Sequence, residues 1–425
     1  DIDFDGAVGS AVNGELGAIT IVSATNVTAD STIEAASFVQ QAGTLTTLTD
    51  SVTTTTAAGV DITATDIRLD GLTIDTTSGN GVVTMNGDTR LDGAVTITRG
   101  TGAVTFTGAV DSEVSETNSL TINGANGGVI AFQDDVGAGT NGRLGAVTIA
   151  TASSVTVSDD KAFNAVSFLQ QAGSGTTTFG GEVNTSGQIG GANLNGVDIT
   201  AINVQFKKAV TTTGNGAVTI DNAGTLTIDN DADFDLAGAF TQTSTGVVGS
   251  VNLGGNITSA DDAVSIADAV TLTNDVSLLT TGGTVTLGAA INSDGTARAL
   301  TIGAGTGDVV FQSAADVGDT APLASMDVTA ANISLRDVTT TVTQLYTASN
   351  LIDTNSTYIT DGANITFAGA TQMNSSLVVN TGAAGGNVTF TSTLDSESGE
   401  ANTLEITAGT GNVTFTGLVG NTNTL

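Results

Sequence analysis

Short triplets of the form apolar-Thr-apolar recur along the chain, as in Val95-Thr96-Ile97, Val104-Thr105-Phe106 and Leu120-Thr121-Ile122, with Ile130-Ala131-Phe132 as a close variant. They return about every 8 to 11 residues, a spacing that reads as many short strands. Alternation with period two puts the apolar residues on one face and leaves the Thr hydroxyl on the other. Turn signals fall between the triplets at Gly79-Asn80-Gly81, Gly214-Asn215-Gly216, Gly307-Asp308 and Gly411-Asn412. Gly, Asn and Asp tolerate left-handed backbone at little cost, which suits them to these joints. No segment carries a helical stripe. The nearest approach, Phe163 to Gln171, reads as strand and turn.

The strands are organised in long repeats. One unit runs from Phe4 to Ile21 (FDGAVGSAVNGELGAITI), again from Phe132 to Ile149 (FQDDVGAGTNGRLGAVTI), and more loosely from Phe311 to Val328. A second unit runs from Val104 to Ile122 (VTFTGAVDSEVSETNSLTI) and returns from Val388 to Ile406 (VTFTSTLDSESGEANTLEI). Ser37 to Gly43 matches Ser167 to Gly173, and Gly59 to Ala64 matches Gly196 to Ala201. A sandwich array would need domain-sized units joined by linkers, and a buried Trp marks the immunoglobulin type. The chain holds one proline, Pro322, and no Trp. The expected fold is therefore all-β, a parallel β-helix with rungs of roughly 18 to 30 residues stacked about 4.8 Å apart. Right-handed coiling is the default for parallel crossovers. The expected organisation is one continuous solenoid over residues 1–425. Val413 to Leu425 (VTFTGLVGNTNTL) matches the start of the first unit and stops where Leu16 or Leu144 would sit, so a longer array is expected.

Charge narrows the partners. There are 43 acidic residues against 9 basic ones, for a formal net charge of −34. Binding nucleic acid needs a positive patch, and the basic residues are scattered except for Lys207-Lys208. No nucleic-acid partner is expected. A negative surface instead keeps a long β-protein soluble and discourages sticking at sheet edges. The absence of Cys excludes a disulfide framework, and no apolar run is long enough to cross a membrane as a helix.

The phrases GAVTFTGAV, LTINGA and LGAVTIATASSVTV resemble those of the bacterial giant β-strand-repeat proteins, which are similar in turn to filamentous-haemagglutinin-like and autotransporter-like adhesins. The resemblance covers essentially the whole chain and lies in repeat grammar rather than in a catalytic signature. It implies export to the cell surface, a right-handed β-helical shaft, and a role in adhesion, biofilm or extracellular fibres.

Candidate chemistry is sparse. Asp229, Asp231, Asp233 and Asp235 form the densest negative stretch, where a bound Ca²⁺ would relieve repulsion. A solvated face explains the same pattern. Asp1-Ile2-Asp3-Phe4-Asp5-Gly6 opens like a calcium loop, but Val12 stands where the bidentate Glu belongs, and an ordinary strand is the simpler reading. Gly190 to Asp198 faintly echoes a calcium-roll nonapeptide. Catalysis is not expected: there is no His, only two Tyr, and no carboxylate pair stands out among the turn aspartates. The recurring phenylalanines suit a stacked internal ladder. Gln40-Gln41 and Gln170-Gln171 suit amide ladders or turn covers. Sequons such as Asn26, Asn184, Asn256, Asn332 and Asn412 allow glycosylation.

The leading expectation is a structural component of an extracellular fibre, sheath or cell-surface layer. It would self-associate end to end or laterally, and other surface proteins or glycans are further candidate partners. The alternative is the shaft of an adhesin, for which a non-repetitive insertion with exposed aromatics would speak. The segment from Gln344-Leu345-Tyr346 to Tyr358 is the one departure of that kind.

Overall fold

The triplets fold as short strands because only one face of each needs burying, and each strand lies directly under the corresponding strand of the next rung. The chain is all-β, a β-solenoid whose described strand pairs run parallel. The computed structural model describes residues 1–9, 14–125, 127–139, 142–186 and 196–425. It comprises two compact units, Asp1–Asn222 and Ala223–Leu425.

In the first unit a turn of the solenoid has three strand positions. Val95–Arg99 begins one turn, followed by Val104–Phe106 and Val110–Ser112. The next turn lays Leu120–Gly124 on Val95–Arg99, Val129–Phe132 on Val104–Phe106, and Val136 on Val110. Leu144–Ile149 then covers Leu120–Gly124, Ser154–Val157 covers Val129–Phe132, and Phe163 covers Val136. Met326 and its partner Gln344 stand 18 residues apart in the second unit, and Val95 and Leu120 stand 25 apart in the first. Rungs of such unequal length stay in register because extra residues go into turns, where added loop costs little.

Inward positions stack into columns of like side chains. Met85, Phe106, Phe132, Val157, Phe179 and Phe206 succeed one another in register. The Phe106–Phe132 and Phe179–Phe206 rings lie parallel at 5.4 and 5.3 Å. A column in the second unit runs Val328, Tyr346, Phe367, Phe390, Phe415. The expected ladder is thus present, with two of its members elsewhere: Phe4 faces Ala29 and Phe311 faces Leu287. Each fully buried ring contributes roughly 1.5 to 3 kcal/mol of burial, before the entropy of ordering it.

Outward positions hold Thr, Asn and Asp, and many of these bond up or down the stack. Asp88 accepts the Ala109 N–H (3.1 Å), Asp135 that of Ala162 (2.8 Å) and Asp275 that of Ala299 (2.8 Å). In the second unit Asn364 accepts from Asn387, which accepts from Asn412. Turn acids and amides therefore satisfy backbone donors of the following rung, a role beyond solubility.

Some inward positions depart from the apolar rule. Gln40 and Gln170 are fully buried, each with an Ile above and below it in register: Ile21 and Ile62, Ile149 and Ile199. The amide ladder is therefore ruled out. Each Gln instead covers a turn, its Oε1 accepting from Thr46 (2.8 Å) or Thr177 (2.7 Å). Arg99 is 1% exposed at the inward end of its strand. Its Nη1 donates to the Gly102 carbonyl (3.2 Å) and its Nη2 to that of Thr151 (2.8 Å), two turns away. Burial pushes its pKa down. Gly128 makes the room: a Cβ there would stand 1.7 Å from Arg99 Nη1 and 2.4 Å from the Gly102 carbonyl.

Candidate interaction surfaces

The four aspartates singled out for calcium lie along a single stretch of outward positions. Asp229 follows the strand Thr225–Ile228, and its carbonyl accepts the Ala232 N–H (2.9 Å). Asp231 is exposed in the turn. Asp233 accepts both the backbone and the side-chain N–H of Asn256 (2.8 and 2.9 Å). Asp235 is exposed in Phe234–Leu236 opposite Thr258. Among the described residues no three acidic side chains converge as a metal-ligand set. The calcium-roll echo at Gly190 to Asp198 lies mostly outside the described residues, as does Val12 of the N-terminal loop.

The tyrosine segment offers no exposed aromatic. Tyr346 and Tyr358 are both fully buried, meet edge to face at 5.8 Å, and pack on Phe367. The Tyr346 hydroxyl donates to Gln344 Oε1 (3.0 Å), and burial holds both phenols well above their usual pKa. The looser sequence there reflects two polar-tipped rings packed inside the column, which need hydrogen-bond partners of their own. It does not mark a binding tip.

Sequence reading missed a pairing of arginines. Arg68 and Arg90 are 22 residues apart, and the register places them side by side on adjacent rungs. Asp66 and Asp88 form the neighbouring column, and Asp111 continues the arginine column one rung further. With Thr89 and Ala109 these residues line a groove of about 230 Å³. The wall bends there: Val60–Leu69 and Val83–Leu91 lose register between Thr63 and Asp66. Gly87 sits at the bend with φ +148°, where a Cβ would meet the Ala64 carbonyl at 1.8 Å, so only glycine fits. Arg90 forks onto Asp92 through Nε and Nη2, and that carboxylate raises its pKa. Arg68 is half-buried and makes no hydrogen bond or ion pair. Burial raises the Asp111 pKa, with Asp88 and Asp135 adding to it. The one-rung spacing of the two arginines was the available signal, readable only once rung length is known.

The other notable surfaces are half-open strands. Leu404–Thr407 and Val413–Phe415 carry the inward residues of Leu120–Gly124 and Val104–Phe106, yet Val413 is 43% exposed and Phe415 39%. Phe4 and Ile19 are half-exposed and Leu16 is 48% exposed. Comparison of the chain with protein-family models, curated proteins and solved structures gave no match.

Proposed function

We propose that the chain is a structural component of an extracellular fibre, sheath or cell-surface layer, in which its acidic solenoid is extended by stacking further rungs. The observation that carries this reading is the relation between the half-open strands and the closed ones. Inside the first unit, Val129–Phe132 covers Val104–Phe106 and Leu144–Ile149 covers Leu120–Gly124. The covering sequence of the second pair recurs in Leu16–Ile21, and the covered one in Leu404–Thr407. Each half-open face thus carries the sequence of one half of a joint that closes elsewhere in the chain. The net charge of −34 favours growth along the stack over lateral packing. A place outside the cell rests on the resemblance to surface repeat proteins. Negative-stain electron microscopy of the 425-residue chain over a range of concentrations is the test. Linear assemblies that lengthen with concentration are expected; discrete particles at every concentration and salt level would count against the reading.

A further inference from the structure

The groove at Arg68 stands out against the chain's own repeat grammar. Asp111 and Asp395 occupy equivalent places in the two copies of the second unit, and both accept a backbone N–H from the following turn, Gly139 at 3.1 Å and Thr422 at 3.0 Å. In register before Asp395 stand Gln372 and Asp353. In register before Asp111 stand Arg90 and Arg68. The framework is shared while the arginine column belongs to one copy alone. Folding and stacking therefore do not require it.

We infer that this groove is a binding site for a hydroxyl-rich monocarboxylate, a uronate-type unit of an acidic saccharide. Arg68 contributes five N–H donors in a planar fork, with no protein acceptor on them. A carboxylate is the group that such a fork binds in two places at once. Arg90 is already held by Asp92 and serves as a fixed wall. The Asp66 carboxylate accepts no hydrogen bond from the described residues, and that of Asp88 uses only Oδ1, on Ala109, so both keep acceptors for ligand hydroxyls. Three nearby carboxylates oppose a dianion with few donors, such as hydrogen phosphate, and favour a single negative charge surrounded by O–H donors. The volume of about 230 Å³ falls below the roughly 300 to 1,000 Å³ of cavities that enclose drug-sized ligands, which fits one ring rather than a peptide. Both tyrosines are buried, so binding rests on polar contacts rather than on an aromatic platform. This inference is independent of fibre formation.

The test is isothermal titration of the full chain with trigalacturonate, with a neutral galactose trimer and inorganic phosphate as controls. Saturable binding of trigalacturonate is expected, at least tenfold tighter than either control. Arg68→Gln should weaken it at least tenfold, Arg68→Lys should restore part of it, and Asp88→Asn should weaken it less than Arg68→Gln does. The Arg68 side chain makes no bond within the fold, so circular dichroism of the two Arg68 variants should match the parent chain. No saturable binding, equal binding of the neutral trimer, or undiminished binding by Arg68→Gln would each overturn the assignment. So would a change of sedimentation in Arg68→Gln without any saccharide binding, which would make the groove a contact between copies.

Discussion

Val104–Ile122 and Val388–Ile406 are near-copies in sequence, one in each compact unit, and they fold into the same turn. Ser112 Oγ accepts the Asn118 N–H at 2.9 Å, and Ser396 Oγ accepts that of Asn402 at 3.0 Å. Asn118 Nδ2 reaches back to the Leu91 carbonyl and to Glu116, and Asn402 Nδ2 to the Met373 carbonyl and to Glu400. Two things differ. Leu120 and Ile122 are fully buried under Leu144–Ile149, whereas Leu404 and Ile406 are half-exposed. The left-handed position of the turn is Ser115 in one copy (φ 72°) and Gly399 in the other (φ 88°). Local bonding is therefore written into each repeat, while core burial is conferred by the neighbouring rung. Repeat proteins behave in this way, with intrinsic and nearest-neighbour terms that add.

That division can be broken at graded cost. Ile122→Ala should destabilise its unit by about 2 to 5 kcal/mol, since it leaves a cavity between two rungs. Ile406→Ala should cost less than half as much, and urea unfolding of the paired variants measures the gap. Removing the shared turn bonds should not discriminate: Asn118→Ala and Asn402→Ala should each cost about 1 to 2 kcal/mol, by the same assay. Equal costs for the Ile pair, or unequal ones for the Asn pair, would sink the division. Exchange at the left-handed position should have opposite signs, with Ser115→Gly stabilising and Gly399→Ser destabilising by roughly 0.5 to 1 kcal/mol each, read as shifts in melting temperature.

The smallest effect concerns protons. Asp111 has its folded pKa raised by burial. A carboxyl shifted upward adds stability below its unfolded pKa of about 3.9, and that stability is lost as pH rises through the folded value. Burial shifts Asp61, Asp316, Asp327 and Asp353 in the same direction. Asp111→Asn should therefore melt slightly above the parent chain at pH 7, and the difference should shrink toward pH 4 in scanning calorimetry. A difference that grows on acidification would mean that the carboxylate form is the stabilising one.

Much of this was legible beforehand. Period-two triplets, turn residues and long repeats led directly to a parallel solenoid, because each signal is local or recurs within the chain. What escaped depended on register. Arg68 and Arg90 looked scattered until a 22-residue turn brought them together, and Gln40 suited an amide ladder or a turn cover until Ile21 and Ile62 on either side decided for the turn. Arg99 was one more of the scattered basic residues. Its burial depends on Gly128, a residue of the following turn. The tyrosines were misread for a related reason: an irregular sequence was taken for an exposed insertion, when its irregularity accommodates buried hydroxyls.

Neighbouring rungs, rather than the repeat's own sequence, decide which copies are closed. Hydrogen exchange of the 425-residue chain at low and high concentration tests it most directly. Leu120–Gly124 and Val104–Phe106 should exchange slowly at both concentrations. Leu404–Thr407, Val413–Phe415 and Leu16–Ile21 should exchange fast when dilute and become protected as the concentration rises. Protection of these strands at every concentration would show that a copy closes without a neighbour, and would contradict the account.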